Sequence, residues 1–568
     1  MIFNGEEYTI QFWQGESLGS ILAIDTETTI APFTETPDLV TFQVFDGESL
    51  YYVDRSLVDD FLKKHVTRTL VFANAPFDID VLRKFTEDKY LLKEQIERDS
   101  RCFDVNIMYR LYTLATAGNI PRRYSLAHIS KELLGEDLDK NEDVRCNFAD
   151  YKDTSLQEMP KAFLEYGAKD VVATYYSFIR LRLEISKLNT NTMLSHHIQL
   201  LGALALNRMY KNGIGFDEER ATLLLNDLNS KLEVLHAQMS AYGFVKGIKG
   251  NQAAYNYVIE FSGLPLPKTD QGDYSMKESD LEKYSDNPFI KSFLDYKRTE
   301  KTTFFIRKLT GSRVHPRYDL IKNTGRTGCS SPNIQQLPRD GDIRSMFKAE
   351  EGNTLLITDY SAIELCTLSQ HVYTMFGSSV MREKINEGAD LHKYYASVLF
   401  GIPEDQVEKW QRQAAKAANF GFPGGLGIET FIEFAKGYDL KISEEEAQKM
   451  KDTWFEAFPE MKTYMQGEQG SVTTLTGRIR ANTTYCAEKN TPFQGLAADG
   501  AKLAMYNLMD AGFKLVGFVH DEIITEVPEN TAEEMRRLQE EIMINSMSLV
   551  VPDVKISVES TISPRYCK

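Results

Sequence analysis

Two groups of acidic residues have types and spacing that suit metal-dependent chemistry on phosphate esters. Asp25 and Glu27 end an apolar run, and the period of two in a strand puts them on one face; alone, this pair is typical of a strand end in solvent. Asp78 follows a second apolar run, and Tyr166 and Asp170 are spaced to share one helix face. Converging carboxylates repel one another unless cations separate them, and oxygen ligands suit Mg²⁺ or Mn²⁺. Two such ions can activate a water for phosphodiester hydrolysis.

The second acidic group lies in the C-terminal half of the chain. Asp359 follows the apolar run 354–358, and much later Asp521 and Glu522 stand between two apolar runs. A charged tip between two strands is most often a solvated hairpin turn. The alternative is that Asp359 and Asp521 face each other and hold two Mg²⁺ ions, one at an attacking hydroxyl oxygen and one at a triphosphate.

A helical segment between these acids carries two cations and a ring at intervals of four residues. Arg412, Lys416 and Phe420 fall at i, i+4 and i+8, which makes one stripe on a helix. Such a stripe can be an ordinary amphipathic face. Next to a carboxylate site it also suits a nucleoside triphosphate, because the cations can grip phosphates while the ring packs on sugar and base.

The apolar pattern predicts the elements that position these residues. Residues 20–53 contain three strand patterns, and helical patterns follow to about residue 190, which indicates a mixed α/β unit. Residues 195–310 are mostly helical, and strands and helices mix again from about residue 315. Within this last part, residues 372–490 are rich in helix patterns.

Composition limits the class of protein. A chain of 568 residues predicts three or four domains, and neither an N-terminal signal nor a membrane-spanning run is expected from its sequence. The net charge of −17 argues against a nucleic-acid partner, but the stretch from Lys297 to Arg326 carries nine basic residues against two acidic ones. That stretch alone would be a solvated helix face. Neither zinc binding nor disulfides are expected, and a reducing, cytoplasmic setting fits best, because the cysteines are scattered: Cys102, Cys146, Cys329, Cys366, Cys486 and Cys567.

The first acidic group resembles a known family of nucleases. Asp25-x-Glu27, Asn74-x3-Asp78 and Tyr166-x3-Asp170, in this order, resemble the three exonuclease motifs of the DnaQ-like proofreading family. The resemblance implies that Asp25, Glu27, Asp78 and Asp170 are metal ligands. It also implies that Tyr166 orients the attacking water.

The second group resembles family A DNA polymerases, the polymerase I type. The residues 359–365, the Arg412-x3-Lys416-x3-Phe420-Gly421 stripe and His520-Asp521-Glu522 resemble motifs A, B and C of that family. Other segments match as well, among them Thr324-Gly325-Arg326, 331–335, 390–392, Gly477-Arg478 and 490–495. The resemblance covers roughly residues 20–560, and with it the basic stretch gains a duplex phosphate backbone to face.

The resemblance implies a role for each matching residue. Asp359 and Asp521 would be the metal ligands, with the Tyr360 carbonyl assisting and Glu522 in a lesser role. Arg412, Lys416 and His392 would contact the incoming triphosphate, whereas Glu364 and Phe420 would crowd the 2′ position of the sugar. Four residues would surround the primer terminus and the minor groove: Arg326, Asn490, Gln494 and His520.

The implied architecture is a multidomain α/β chain with an RNase H-like exonuclease domain followed by a right-hand polymerase. The expected partners are primer–template DNA and dNTPs, and the expected cofactor is Mg²⁺, two ions per site, with Mn²⁺ as a substitute. We expect a cytoplasmic monomer (in the host cytoplasm if viral). The expected domains are the exonuclease at 1–190, a helical thumb at 191–312, palm segments at 313–371 and 494–568, and fingers at 372–493.

The sequence departs from the family at several positions. Gly424 stands where the family usually has a Tyr whose ring stacks near the templating base, so fidelity and the hinge of the fingers are in doubt. Cys366, Ala362 and Phe518 replace the more frequent Arg, Gln and Gln. No room is expected for an N-terminal 5′-nuclease domain, and the compact thumb predicts no partner-recruiting insertion. Both features favour a phage-type enzyme.

Three other functions compete with this interpretation. A single-subunit RNA polymerase shares the palm, but Glu364, the segment 490–495 and the exonuclease motifs speak against it, and use of NTPs or dNTPs would distinguish the two. A DNA-binding remnant with inactive sites is disfavoured because every metal carboxylate is present. A nuclease whose C-terminal part only clamps DNA is disfavoured by the complete motifs A, B and C.

Overall fold

The computed structural model describes residues 1–86, 92–93, 96, 100–138, 142–188, 192–244, 251–338, 342–467 and 470–567. The chain divides into two units. Unit 1 comprises Met1–Asn212, Tyr318–Gly328 and Leu356–Ile562, and unit 2 comprises Gly213–Arg317, Cys329–Leu355 and Ser563–Lys568.

The helices and strands follow one another along the chain in three stretches. Up to residue 212 they are β1 Ile2–Phe3, β2 Glu6–Glu7, β3 Ile10–Phe12, β4 Ile21–Thr28, β5 Leu39–Phe45, β6 Leu50–Val53, α1 Val58–Lys64, β7 Thr69–Phe72, α2 Ala75–Arg83, β8 Cys102–Asp104, α3 Val105–Ala117, α4 Leu126–Leu134, α5 Glu142–Cys146, α6 Lys161–Ser186 and α7 Thr192–Asn212. Up to residue 348 they are β9 Ile214–Phe216, α8 Glu218–Ser240, α9 Asn251–Ser262, α10 Glu278–Leu281, α11 Pro288–Ile306, β10 Arg313–Val314, β11 Arg317–Asp319, β12 Gly328–Ser330 and β13 Phe347–Lys348. The remainder are β14 Asn353–Tyr360, α12 Ile363–Phe376, α13 Val380–Asn386, α14 Leu391–Phe400, α15 Lys409–Gly421, α16 Ile428–Lys436, α17 Glu444–Ala457, α18 Glu460–Met465, β15 Val472–Thr473, β16 Ile479–Arg480, α19 Tyr485–Asp510, β17 Lys514–Val519, β18 Glu522–Pro528, α20 Ala532–Ser548 and β19 Val558–Ser563.

A six-stranded sheet organises the N-terminal part of unit 1. Its strand order is β3-β6-β5-β4-β7-β8, with β4 antiparallel to β5 and parallel to β7. Strands β5 and β6 are buried throughout, which explains their nearly continuous apolar sequences. The long helix α6 packs on β4 and β5. The sheet therefore presents the second half of β4, where Asp25 and Glu27 lie, to this helix.

A four-stranded sheet organises the C-terminal part of unit 1. Its order is β17-β18-β14-β19, and β17 and β18 form an antiparallel hairpin in which Val519 pairs with Glu522. The two-residue turn between them is His520-Asp521, and His520 has a φ of 58°, as a tight hairpin turn requires. Helices α19 and α20 pack against each other, and their apolar residues join the same buried core as β14 and β17.

The helix-rich segment of unit 1 has a separate core. Trp454 on α17 is fully buried and contacts the rings of Phe422 and Phe458, while Phe431 on α16 packs on Phe422. Alanines of α15 fill the same core on one face. The opposite face of α15 is therefore left to polar side chains.

Unit 2 consists mainly of helices. Helices α8 and α11 pack along each other, and their core includes Tyr255, Phe289 and Phe293. A small antiparallel sheet in the order β10-β9-β13 completes the unit.

The strands expected around residues 21, 41, 50, 70, 354, 514 and 523 are all confirmed, as is the helix-rich segment. The division into exonuclease, thumb, palm and fingers stays a prediction, and its boundary at residues 190 and 191 lies outside the described residues. Among the helices of the described part of the chain, none combines the length and apolarity that a membrane crossing needs.

Candidate active sites

Three of the four carboxylates of the first acidic group converge. Asp25 and Glu27 lie on β4 and Asp170 lies on α6, and one oxygen from each of these three carboxylates lies within 4.8 Å of the others. Three carboxylate oxygens from two elements form a cluster suited to a hard divalent cation.

The negative charges in this cluster disfavour simultaneous ionisation of all its carboxylates. Loss of hydration raises the pKa of Asp25 well above its ordinary value, and the neighbouring Glu27, Asp78 and Asp170 raise it further. A divalent ion would reverse this penalty, because it favours the charged form of every ligand. The donor set therefore fits Mg²⁺ or Mn²⁺.

Asp78 lies near this trio without joining it. Its Oδ1 accepts hydrogen bonds from the backbone N–H of Thr26 (3.2 Å) and from the Thr26 hydroxyl (2.7 Å). Burial raises the pKa of Asp78 to about 7, with the Thr26 bonds opposing the rise and Asp104 adding to it. Asp104 accepts from the backbone N–H of Ala75 and caps α3, so it fixes the N-terminus of the helix that carries Asp78.

Gln43 contacts the trio directly, which the sequence did not reveal. It pairs with Asp25 across β4 and β5, and its Nε2 donates to Asp25 Oδ2 at 2.6 Å. The Thr41 hydroxyl donates to Gln43 Oε1 (3.0 Å), which fixes the orientation of the amide. Gly167 on α6 permits this arrangement, because a Cβ there would lie 2.7 Å from Gln43 Nε2. The available signal was an amide in an otherwise apolar strand.

Tyr166 lies one helical turn before Asp170 on α6, as predicted. It is partly buried, and its ring centroid lies 6.0 Å from that of Phe148. Its role in orienting water stays a prediction.

The structure also brings the second acidic group together. Asp359 is the partly exposed residue near the end of β14, between the buried Thr358 and Tyr360. The backbone N–H of Tyr360 donates to the carbonyl of Asp521 (3.4 Å), which places the hairpin tip beside the end of β14. The Tyr360 hydroxyl donates to the carbonyl of Met543 (2.8 Å), so the ring anchors this strand end in the core.

A cation lies close to this pair. Loss of hydration raises the pKa of Asp521 to about 6; the positive charge of Arg326 opposes the rise and the charge of Asp359 adds to it. Arg326 also forms an ion pair with Glu364, in the first turn of α12. Glu522 is buried in β18, whereas His520 is exposed at the tip. Arg326, predicted near the primer terminus, thus pairs with Glu364 and acts electrostatically on Asp521.

The stripe on α15 is confirmed as a polar face. Arg412, Lys416 and Phe420 are all partly exposed, while the alanines between them are buried. Arg412 Nε donates to Asp390 Oδ2 (2.8 Å). Burial alone would raise the pKa of Asp390, but the Arg412 hydrogen bond holds it below its ordinary value.

His392 lies beside the same stripe. Its ring centroid is 5.5 Å from that of Phe420, and its Nδ1 lies 3.0 Å from Asn419 Nδ2. Since the Asn419 amide is a donor, Nδ1 accepts and Nε2 carries the proton of the neutral ring. Burial lowers the pKa of His392 to about 4, and Arg412 and Lys416 lower it as well while Asp390 opposes them. The imidazole is therefore a neutral hydrogen-bond donor at neutral pH.

The family departure at Gly424 has a structural counterpart. Gly424 ends a 3₁₀ turn, Phe422–Gly424, that follows α15. Asn490 Nδ2 donates to the Gly424 carbonyl (3.2 Å), and a Cβ at Gly424 would lie 2.8 Å from that same nitrogen. Gln494 donates to Asn490 Oδ1 (3.3 Å). A side chain at position 424 therefore requires Asn490 to move.

The other departures are Cys366, Phe518 and Ala362. Cys366 and Phe518 are buried in the core. Ala362 precedes α12 with a φ of 49°, a conformation that an Ala adopts at some cost in strain. Nothing in the structure explains why Ala occupies this position.

Comparison with known proteins decides the family. The sequence matches DNA polymerase family A over residues 224–568 and the 3′-5′ exonuclease family over residues 6–186. The chain belongs to DNA polymerase family A. It is a DNA polymerase with a 3′–5′ exonuclease domain in front of the polymerase domain, as predicted. As a member of these families it depends on divalent metal ions.

Relatives and a solved structure agree with this assignment. DNA polymerase I of Aquifex aeolicus is 31% identical over 587 residues, covering 96% of this chain and 96% of the relative. The thermostable DNA polymerase I of Thermus aquaticus is 32% identical over 52% of this chain and 39% of its own length. The POL domain of Pol1 from M. smegmatis, in complex with DNA primer-template and dNTP, has the same fold, with a TM-score of 0.77, 21% identity, and coverage of 98% of this chain and 99% of that one.

Proposed function

We propose that this family A polymerase extends a DNA primer at Asp359 and Asp521, which hold two Mg²⁺ ions with help from the Tyr360 carbonyl. Mn²⁺ is a substitute. When bound, these ions supply Lewis-acid activation of the attacking oxygen and stabilise charge on the leaving oxygen. Glu522, buried behind the hairpin tip, has a lesser electrostatic role.

The observation that carries this proposal is the hydrogen bond between Tyr360 and Asp521. It links the end of β14 to the hairpin turn that carries Asp521, far away in the sequence, and the charges of Asp359 and Arg326 both act on Asp521. Two carboxylates alone would repel, so the pair is arranged for cations.

The face of α15 binds the incoming nucleotide in this proposal. Arg412 and Lys416 contact its phosphates as partly exposed cations, and the neutral His392 donates a hydrogen bond from Nε2. Phe420 packs on the sugar, and Glu364, held by Arg326, closes the 2′ side against a ribonucleotide.

The primer terminus and its minor groove contact polar side chains on three elements. His520 lies at the exposed tip of the hairpin, and Asn490 and Gln494 lie in the first half of α19. Arg326 follows β11. Lys301 and Lys308 of unit 2 are exposed and suit the phosphate backbone of the duplex. The M. smegmatis relative's complex with primer-template and dNTP supports DNA and dNTPs as substrates.

The exonuclease domain removes a mispaired 3′ end in the second part of the proposal. Asp25, Glu27, Asp78 and Asp170 hold the divalent ions, and Tyr166 orients the attacking water. The convergence of three carboxylate oxygens within 4.8 Å supports this assignment.

Steady-state incorporation of one dNTP tests the nucleotide site. Arg412→Ala and Lys416→Ala should each raise KM for the dNTP about tenfold or more, because each removes a charge-assisted contact to phosphate. An exposed cation outside the stripe, altered in Lys436→Ala, is the matched control and should leave KM within about twofold. Unchanged KM values in both stripe variants would remove α15 from the nucleotide site.

A cytoplasmic location, a monomeric state and a phage-type origin stay predictions.

A further inference from the structure

A buried charged cluster lies behind the turn that carries Arg326. Arg478 donates from Nη1 to both carboxylate oxygens of Asp499 (2.7 and 2.9 Å), and the Thr476 hydroxyl donates to Asp499 Oδ2 (2.5 Å). Gln199 on α7 bridges Asp499 and Lys502: its Nε2 donates to Asp499 Oδ1 (3.0 Å), and its Oε1 accepts from Lys502 Nζ (2.5 Å). Arg478, Asp499, Lys502 and Gln199 are at most 1% exposed. The proposed mechanism gives this cluster no role.

The cluster holds the turn at its backbone. Lys502 Nζ donates to the carbonyl of Gly325 (2.8 Å), one residue before Arg326. Gly325 has a φ of 95°, and a Cβ there would lie 2.2 Å from Arg478 Nη2. The guanidinium therefore packs closely against the turn, and only Gly fits. Two backbone hydrogen bonds of 2.8 Å, from Lys322 to the Arg326 carbonyl and from Gly325 to the Lys322 carbonyl, close the turn on itself.

The side chain at the end of this turn reaches the polymerase carboxylates. Arg326 pairs with Glu364, and its charge acts on Asp521. Its guanidinium can stay there only while the turn keeps its place, because the Gly325 and Arg326 backbones are joined. A shift of the Gly325 carbonyl would therefore be transmitted to the contact between Arg326 and Glu364.

Energetics favour a positioning role over a stabilising one. Burying an ion pair costs hydration that its Coulomb attraction roughly repays, so such clusters add little net stability, while their many directed hydrogen bonds restrict geometry. The contacts of the Lys502 side chain restrict its geometry in this way. Its stem packs so closely on α7 that a Cβ at Gly202 would lie 2.9 Å from Lys502 Cγ, and its Nζ is directed at one carbonyl.

We propose that Lys502 and Gln199 are positioning residues for DNA synthesis, acting through the Gly325 carbonyl to hold Arg326 beside Asp521 and Glu364. The inference rests on the proposed function, because it needs Arg326 to serve the polymerase reaction. It adds that α7, which follows the exonuclease domain in sequence, supplies part of the support of the polymerase site.

Helix α7 also provides a matched control. Two turns beyond Gln199, Asn207 on the same helix donates to Asp80 Oδ2 (2.9 Å) and to the carbonyl of Pro76 (3.3 Å), on the helix that carries Asp78. Asn207→Leu removes a side-chain amide from α7, as Gln199→Leu does, but on the side of the exonuclease residues. It should leave primer extension within about twofold of the native rate.

A double-mutant cycle tests the inference. Single-nucleotide addition is measured for the native protein, Lys502→Met, Arg326→Ala and the double variant. We expect Lys502→Met to lower kcat about tenfold or more with KM for the dNTP within about twofold, because a small misplacement near the reacting atoms mainly slows the chemical step. In the Arg326→Ala background the same change should cost less than twofold, since residues that act through one another are not additive. Gln199→Leu should repeat the pattern.

Degradation of single-stranded DNA by the same preparations serves as the folding check, and it should stay within about twofold for Lys502→Met and Gln199→Leu. If Lys502→Met does not fold, the cycle is decided with Gln199→Leu. Equal losses with and without Arg326 would overturn the inference and leave the cluster a merely structural one. An Arg326→Ala variant that synthesises DNA at the native rate would also overturn it, while the proposed polymerase activity would stand. Failure of the native protein to extend a primer would instead refute the proposed function.

Discussion

The exonuclease trio and the polymerase pair both bring together carboxylates that are distant in the sequence, but neighbouring charges affect the pKa of these carboxylates differently. At the exonuclease site, the groups that act most strongly on Asp25, besides its burial, are three other acids. At the polymerase site, Arg326 partly offsets the charge on Asp521, and its pKa rises only to about 6. The first site concentrates negative charge, whereas the second contains a cation of its own.

This difference fits the substrates that the two sites would receive. A nuclease site must hold its ions through protein ligands, because a single phosphodiester brings little charge of its own. A polymerase site receives a triphosphate that brings both negative charge and metal-binding oxygens, and so two protein carboxylates suffice. In the proposed function, the partly exposed cations Arg412 and Lys416 would contact this triphosphate.

Removal of the exonuclease acids should have the largest effect, and it should affect only one of the two activities. Asp25→Ala combined with Glu27→Ala deletes two of the three clustered carboxylates and should lower degradation of single-stranded DNA by at least about 10³-fold. Primer extension with dNTPs should stay within about twofold. Gel analysis of a labelled oligonucleotide measures both reactions, and a loss of extension together with degradation would show that the two sites are not separate.

A substitution at Phe420 tests the proposed contact between this ring and the sugar of the nucleotide. Phe420→Tyr should ease use of dideoxynucleotides on the order of 10²-fold, because a phenol hydroxyl can replace the missing 3′-hydroxyl of the sugar. The ratio of kcat/KM for dNTP and ddNTP measures the change. Tyr395→Phe, which alters a buried ring of the same region, is the control and should not change that ratio. Unchanged discrimination in Phe420→Tyr would place this ring away from the sugar.

A substitution at Gln43 should have a smaller effect, and it should be confined to the exonuclease. Gln43→Leu removes the hydrogen bond to Asp25 Oδ2 and should slow the exonuclease about tenfold, since the partners of metal ligands are typically worth 10- to 100-fold. Titration with Mn²⁺ should show weaker activation than in the native protein, and primer extension should be unaffected. A native metal dependence would mean that Asp25 needs no support from Gln43.

Asp78 gives the smallest effect, in metal-free stability. Its pKa of about 7 lies above the unfolded value near 4, so its contribution to stability is present below pH 4 and is lost as the pH rises towards 7. Asp78→Asn lacks this loss and can still accept from Thr26. In EDTA at pH 8 the variant should unfold with a free energy higher by on the order of 2 kcal/mol, and the gain should shrink towards pH 4. A gain that is equal at both pH values in urea unfolding would exclude this titration as its cause.

Local patterns predicted much of both sites. The alternation around Asp25 and Glu27 and the apolar runs flanking Asp521 are short-range signals, and the strands and the α15 stripe follow from them. The pairing of Asp359 with Asp521 across 162 positions needed the motif resemblance, because periodicity says nothing about which strands become neighbours.

The support of the sites could not be predicted. Gln43 lies opposite Asp25 only because of the β4–β5 register, and Gln199 meets Lys502 from a helix about 300 residues away in sequence. Such contacts depend on tertiary packing rather than on local propensity. The effect of Gly424 was also beyond the sequence, which showed that a ring is missing but not that Asn490 occupies the space beside it.

The proposal that one chain contains two separate metal sites is tested most directly by primer extension with Mg²⁺, comparing the native protein with Asp359→Ala, each with and without dNTPs. The account predicts that the native protein lengthens the primer with dNTPs and shortens it without them. The variant should only shorten it, at the native rate, in both conditions. If the native protein also only degrades the primer, the chain is a nuclease carrying an inactive polymerase fold, and the account is contradicted.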